Sequence, residues 1–254
     1  MKFLVSNDDG IFSEGIIQLA KSLLPLGEVT VVAPDIERSA SGHAITMHTP
    51  LRVKKVRLPG LDIDAYAVNG TPADCVKLGI DLLFDGKPDY VFTGINRGSN
   101  MGNDVLYSGT VSAAIEGCIM GVSAVALSLL YGDQMDYSLA GKTAYKIAQR
   151  LARETKDSGL LLNVNIPNIK EEQLRGTKIT RLGNRHYTKN YEKRKDPRGA
   201  TYYWLAGELT EESMDDNTDI GATANSYISI TPLHYDLTCY KMVEKLKNLK
   251  LDLD

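Results

Sequence analysis

The chain has 254 residues, 43% hydrophobic and 24% charged, with a formal net charge of −3 and a pI near 5.9, so it can bury a sizeable core and has no cationic surplus that would recommend a nucleic-acid polymer or an anionic membrane as partner. No apolar run approaches the ~20 residues of a membrane span, and Lys2 is followed by only three apolar residues before Ser6, too short for a secretory core. Cys75, Cys118 and Cys239 are isolated, which suits neither a disulfide framework nor a CxxC zinc site and fits the reducing cytoplasm.

KFLVS predicts a buried strand, followed by a polar turn through Asn7, Asp8, Asp9 and Gly10. GIIQLAKSLLPLG places Ile16, Ile17, Leu19, Ala20, Leu23 and Leu24 at helical spacing, and EVTVVAP predicts a second strand ending at Pro34. Such a unit means parallel neighbours joined by a right-handed crossover. AYAVNG then reads as a short strand. The triplet Asn69, Gly70, Thr71 has the form of a glycosylation acceptor but is better read as a turn and cap. Thr71 is the predicted N-cap, and Pro72 the first helical residue, of TPADCVKLGIDLLF. DYVFTGIN, VSAVALSLL and LLLNVNIP predict further strands, separated by the helices SGTVSAAIEGCIMG and YSLAGKTAYKIAQRLARE.

This alternation over residues 1–170 predicts an α/β, Rossmann-like core: a doubly wound, mostly parallel sheet. After about residue 170 the rhythm changes. TKITRL, TYYWLAG and ANSYISITPL predict β segments and YKMVEKLKNLKLDLD a charged amphipathic helix, so residues 171–254 form a C-terminal β-rich arm and terminal helix of the same domain. Between Arg181 and Arg198 seven Lys or Arg face two acidic residues, open to reading as a solvated hairpin or as a loop that attracts phosphate or a neighbouring subunit.

In open parallel sheets ligands bind beyond the carboxyl ends of the strands. Asn7, Asp8 and Asp9 follow the first strand, Ser39, Ser41 and Gly42 the second, and Asn96 to Asn100 the DYVFTGI strand, so all should share one edge. Adjacent aspartates repel, and something must compensate. Two carboxylates, the Ser39 hydroxyl and the Asn96 amide oxygen are hard donors that suit Mg²⁺ or Mn²⁺. The competing reading makes Asp8 and Asp9 acidic caps of the following helix. The glycine-rich run NRGSNMGNDVLYSGT permits close approach of an anion, or is an ordinary loop with Ser108 or Thr110 as N-cap. It matches neither GxxxxGK[ST] nor GxGxxG.

No GxSxG elbow is present, and His43, His48, His186 and His234 do not fall at HExxH spacing. A phosphatase passing through an aspartyl-phosphate would want a second carboxylate two positions beyond the nucleophile, where Gly10 stands if Asp8 has that role. A receiver domain would end its central strand in aspartate, not Asn96. A nucleotide-binding module without catalysis is a third alternative.

VSNDDG with GI after it, PDIERSASGHAIT, NGTPADCV, GINRGSNMGNDVLYSGTVSAAIEG, LNVNIP, PRGATYYWL and ISITPL together resemble, in the same order, the SurE family of survival-protein nucleotidases. The resemblance runs from residue 1 to about 235. It implies a metal-dependent phosphatase of nucleoside 5′- and 3′-monophosphates, with short polyphosphate a substrate of some members. It carries metal-ligand roles onto Asp8, Asp9, Ser39 and Asn96, for one Mg²⁺ or Mn²⁺ per subunit, and phosphate contacts onto Asn100, Ser108, Gly109 and Thr110. It also implies a cytoplasmic homodimer or homotetramer with exchanged C-terminal segments. IGATANSYISITPL departs slightly from the family pattern, which touches only the local geometry of the arm.

Overall fold

The computed structural model describes residues 1–154, 159–188, 191–211 and 215–249. The core alternates β1 (Lys2–Ser6), α1 (Glu14–Leu23), β2 (Glu28–Pro34), β3 (Val53–Val56), β4 (Asp64–Val68), α2 (Pro72–Leu78), β5 (Tyr90–Arg97), α3 (Gly109–Ile119), β6 (Ser123–Leu129), α4 (Ser138–Glu154) and β7 (Leu161–Ile166). There follow β8 (Gly176–Ile179), β9 (Arg185–Thr188), β10 (Tyr191–Lys195), β11 (Thr201–Leu205), β12 (Glu208–Glu211), α5 (Asp219–Ala224), β13 (Tyr227–Pro232) and α6 (Tyr240–Lys247).

Nine strands make one sheet in the order β3-β4-β2-β1-β5-β6-β7-β13-β8. From β4 to β7 every pairing is parallel, with β3 antiparallel at one edge and β13 antiparallel to β7 near the other. The sheet is doubly wound: from β1 the chain proceeds outward through β2 and β4, then returns to β5 on the opposite side. The strand order therefore reverses between β1 and β5, and a crevice opens at their carboxyl ends.

The apolar runs of β1, β2, β5 and β6 are buried on both faces, as expected of strands covered by helices on each side. One face packs α1 and α4 through Ile16, Leu19, Leu23, Ala140 and Ala144 against Phe3, Val5 and Phe92. The other packs Cys75, Val76, Val111 and Ala114 of α2 and α3 against Leu4, Val32 and Val91. Thr71 and Asp74 close a reciprocal cap on α2, with Asp74 N–H donating to Thr71 Oγ1 at 3.1 Å and Thr71 N–H to Asp74 Oδ2 at 2.9 Å. The α-helical part of the predicted TPADCVKLGIDLLF helix is shorter. From Gly79 it widens into a π turn, closed by Phe84 N–H on the Gly79 carbonyl at 2.9 Å.

Beyond residue 170 the β segments divide between the main sheet and two ribbons, and one further helix appears. The segment before β13 contains a helix, α5, because Thr218 Oγ1 accepts Gly221 N–H at 3.1 Å and starts a turn. In addition, β8 and β13 continue the main sheet, while β9–β12 and β10–β11 form two separate ribbons. Tyr203, Trp204 and Leu205 on the second ribbon are exposed, and α6 buries none of its residues.

Candidate active site

Asn7 shapes the turn after β1: its Nδ2 donates to the Gly10 carbonyl at 2.9 Å and to Ser13 Oγ at 2.8 Å. Gly10 takes a φ of +97°, a conformation that strains residues with a Cβ. The turn delivers Asp8 and Asp9 into an open cavity of about 860 Å³ at the switch point, whose wall also includes Ser39, Asn96, Asn100 and Ser108. Within β5, Gly94 has a φ of +118°, and a Cβ there would lie 2.2 Å from the Leu127 carbonyl oxygen. The register against β6 shifts between Thr93 and Asn96, bringing Asn96 opposite Ser128 at the cavity edge.

Asp8 is almost fully buried. Thr110 donates to it twice, from N–H to Oδ2 at 3.1 Å and from its hydroxyl to Oδ1. Asp9 Oδ2 accepts Arg97 N–H at 3.0 Å. Ser39 donates its hydroxyl to Glu37 Oε1 at 2.6 Å, leaving oxygen lone pairs free, and Asn96 Nδ2 donates to the Gly98 carbonyl at 2.9 Å, leaving Oδ1. The four residues thus retain oxygen donors of the kind a hard divalent cation takes.

Electrostatics make the same demand. Burial raises the Asp8 carboxyl above its ordinary range against the pull of the two Thr110 hydrogen bonds, with Glu37 adding a smaller push. Asp9 is pushed up to about 6, by burial first and then by the charge of Asp8. The wall carries carboxylates at Asp8, Asp9, Glu14, Glu37, Asp104 and Asp133 against a single cationic side chain, Arg97. Asp104 is paired with Arg185, and the remaining negative wall suits a cation better than an anion. Among the described residues no three His, Cys, Asp or Glu side chains gather into a metal-holding group. The candidate set instead combines two carboxylates with neutral oxygens.

Gly109 and Thr110 stand behind Asp8 and do not line the cavity. A Cβ on Gly109 would come within 2.8 Å of Asp8 Cβ, so the glycine lets α3 approach end-on. Ser108 caps α3 by accepting Val111 N–H at 3.1 Å. The positive end of α3 therefore acts on the Asp8 carboxylate. Asn100 lines the wall, yet its N–H donates to Asn165 Oδ1 at 2.9 Å and its Nδ2 to Ser128 Oγ at 2.8 Å. Asn163 and Asn165 both donate to the Asn100 carbonyl, at 2.8 and 2.9 Å.

Sequence reasoning assigned no role to Asn163, Asn165, Arg97 or Arg185. Asn163 and Asn165 carried a usable signal: two amides on the same face of an otherwise apolar buried strand demand a polar partner. Arg185, from β9, donates to Asp104 Oδ2 at 2.8 Å and to Ser99 Oγ at 3.2 Å, tying the arm to the cavity loop. Asp219 Oδ2 accepts Gly102 N–H at 2.8 Å and secures the same loop from α5.

A doubly wound α/β protein with an acidic, oxygen-lined cavity at its switch point is the class that these elements define. Residues 3–189 match the family model described as survival protein SurE. The chain is 49% identical to the 5′-nucleotidase SurE of Natranaerobius thermophilus, over 99% of this chain and 100% of that protein. It is 52% identical to that of Pelotomaculum thermopropionicum, over 98% of this chain and 95% of the other. The crystal structure of the SurE protein from Aquifex aeolicus superposes with a TM-score of 0.85 at 42% identity, covering 97% of this chain and 98% of that one. The chain belongs to the SurE family.

Proposed function

We propose that this chain is a divalent-metal-dependent nucleotidase that hydrolyses nucleoside 5′-monophosphates, and also 3′-monophosphates and short polyphosphate, at the Asp8–Asp9 cavity. The observation that carries this reading is the cavity's charge: carboxylates outnumber the lone guanidinium, and among the described residues neither buried Asp8 nor half-buried Asp9 makes a salt bridge to a cationic side chain. The names of the curated relatives supply the 5′-nucleotide.

Asp8, Asp9, Ser39 and Asn96 would hold one Mg²⁺ or Mn²⁺, which when bound supplies counter-charge and Lewis acidity toward a phosphate oxygen. Thr110 and the start of α3 orient Asp8 through two hydrogen bonds and favour its ionised form against the opposing effect of burial. Asp9 is held by Oδ2, so Oδ1 is the carboxylate oxygen left to orient an attacking water. Arg97 is the side chain in the wall able to neutralise phosphate charge directly, with Ser108 at the adjoining helix start. Asn100 contributes by fixing the loop; its N–H and Nδ2 are already engaged inside the protein.

The test is phosphate release from 5′- and 3′-nucleotides and polyphosphate, with Mg²⁺, Mn²⁺ or chelator, by wild type and Asp8→Ala. Metal-dependent release lost in the variant supports the reading, and release that survives chelation refutes it. Release from 5′-nucleotides alone would remove the 3′ and polyphosphate activities.

The same proposal includes a cytoplasmic homodimer or homotetramer with exchanged C-terminal segments, supported by α6, which buries nothing on its own subunit, and by the exposed Trp204 ribbon. Among the described residues no helix is long and apolar enough to cross a membrane. Truncation after Pro232 is expected to reduce the assembly's mass in light scattering; an unchanged oligomer would exclude exchange through this segment.

A further inference from the structure

The cavity, about 860 Å³, is far larger than a phosphate group requires. The lining includes Asp8, Asp9, Ser39 and Asn96, and also Tyr131 to Met135, a segment that contributes none of those four. Tyr131 is 72% exposed and Tyr107, next to the Ser108 cap, is 67% exposed. Neither ring stacks on another aromatic among the described residues. Two large rings presented to solvent inside one polar cavity are surfaces on which a flat ligand group can lie.

Tyr131 is seated by a specific device. Gly98 has a φ of +119°, and a Cβ there would fall 2.6 Å from Tyr131 Cε2. Gly98 N–H also donates to the Leu129 carbonyl at 2.8 Å, tying the Asn96 loop to the strand that leads into Tyr131. The ring edge therefore rests on backbone two residues from Asn96.

Resting on the nucleotidase reading above, we propose that Tyr131 is the platform on which the substrate's base stacks, with Tyr107 as a second aromatic contact at the cavity mouth. Asp133 and Gln134 beside it offer polar groups to the sugar hydroxyls. Stacking favours any base because every base presents a π face. The substrate class that follows is broad: purine and pyrimidine nucleotides, each preferred over a sugar phosphate without a base.

The discriminating measurement is the ratio of kcat/KM for AMP to that for ribose 5-phosphate, in wild type, Tyr131→Ala, Tyr131→Phe and Tyr107→Ala. Tyr131→Ala is expected to lower this ratio roughly 5- to 100-fold, the span of one base–aromatic stack, mainly through KM for AMP. Tyr131→Phe should retain the wild-type ratio, because the ring and not the hydroxyl does the stacking; Tyr107→Ala should lower it less. A ratio unchanged in Tyr131→Ala, or a wild type that treats both substrates alike, overturns the platform. A purely structural Tyr131 would lower both substrates together and leave the ratio fixed, which also overturns it. A wild type that hydrolyses neither AMP nor any other nucleotide would instead sink the underlying nucleotidase reading, a result separable from the others because no variant is needed to see it.

Discussion

Asp9→Asn is expected to make the metal-free protein more stable while disabling cation binding. The Asp9 carboxyl is pushed from 3.8 to about 6, chiefly by burial and secondly by Asp8. Because its folded value lies above its unfolded one, the protonated group favours folding. That contribution is whole below the unfolded value and is lost as pH rises through the folded one. A shift of about two units corresponds to ~3 kcal/mol, discounted to about 1–2 kcal/mol because Asp9 is partly open to solvent and screened there. Asparagine keeps the shape, and its Oδ1 can accept Arg97 N–H in place of Asp9 Oδ2. Urea unfolding in chelator at about pH 8 should therefore show Asp9→Asn more stable than wild type by that amount, the gap closing toward about pH 4.5. Adding Mn²⁺ at ~100 times its Kd should stabilise wild type by about 2.7 kcal/mol and the variant by little. A variant less stable than wild type in chelator at the higher pH, or a wild-type midpoint flat across that window, would refute the reasoning.

Thr110→Val removes the hydroxyl that Asp8 Oδ1 accepts and should weaken Mn²⁺ binding about 10- to 100-fold by calorimetry, with the fold intact by circular dichroism. Gly109→Ala would drive a Cβ to 2.8 Å from Asp8 Cβ and should cut turnover on the order of 10²-fold by displacing the carboxylate. Gly94→Ala, 2.2 Å from the Leu127 carbonyl at a φ of +118°, should cost more than about 3 kcal/mol in denaturant. Asn165→Ala leaves Asn100 N–H without its acceptor and should cost about 1–3 kcal/mol; an unchanged midpoint would show that water replaces it.

The central sheet was legible because its strands are continuous apolar runs and its helices are amphipathic, so β1, β2, β5 and β6 could be placed without tertiary information. Once the winding is known, the carboxyl ends must share an edge. That is why Asp8, Asp9, Ser39 and Asn96, separated by up to 88 positions in the chain, could be anticipated on one cavity wall. Strand β3 was not legible: Val53-Lys54-Lys55-Val56 has an exposed edge position, and its strand character comes from pairing with β4. Helix α5 was hidden because Gly221, Ala222 and Ala224 give no apolar period, and its start depends on a cap formed by Thr218.

The roles of Gly109 and Thr110 show where sequence reasoning reaches its limit. A glycine-rich turn at a helix start is compatible with an anion supplied by a ligand or by the protein itself, since the backbone requirement is the same in both cases. Here the Asp8 carboxyl is an internal acceptor at that position, and Thr110 N–H and Oγ1 are already committed to it. The positive end of α3 thus offsets part of the cost of keeping Asp8 ionised in a buried setting. On the metal-dependent reading proposed above, the charge of Asp9 and Glu37 would fall to a bound cation, and Arg97 would share with it the work of drawing in a phosphate. On that reading the helix start would orient the carboxylate and the carboxylate would hold the cation, an arrangement that depends on the close approach of Gly109 to Asp8 and could not be read from the glycine-rich run alone.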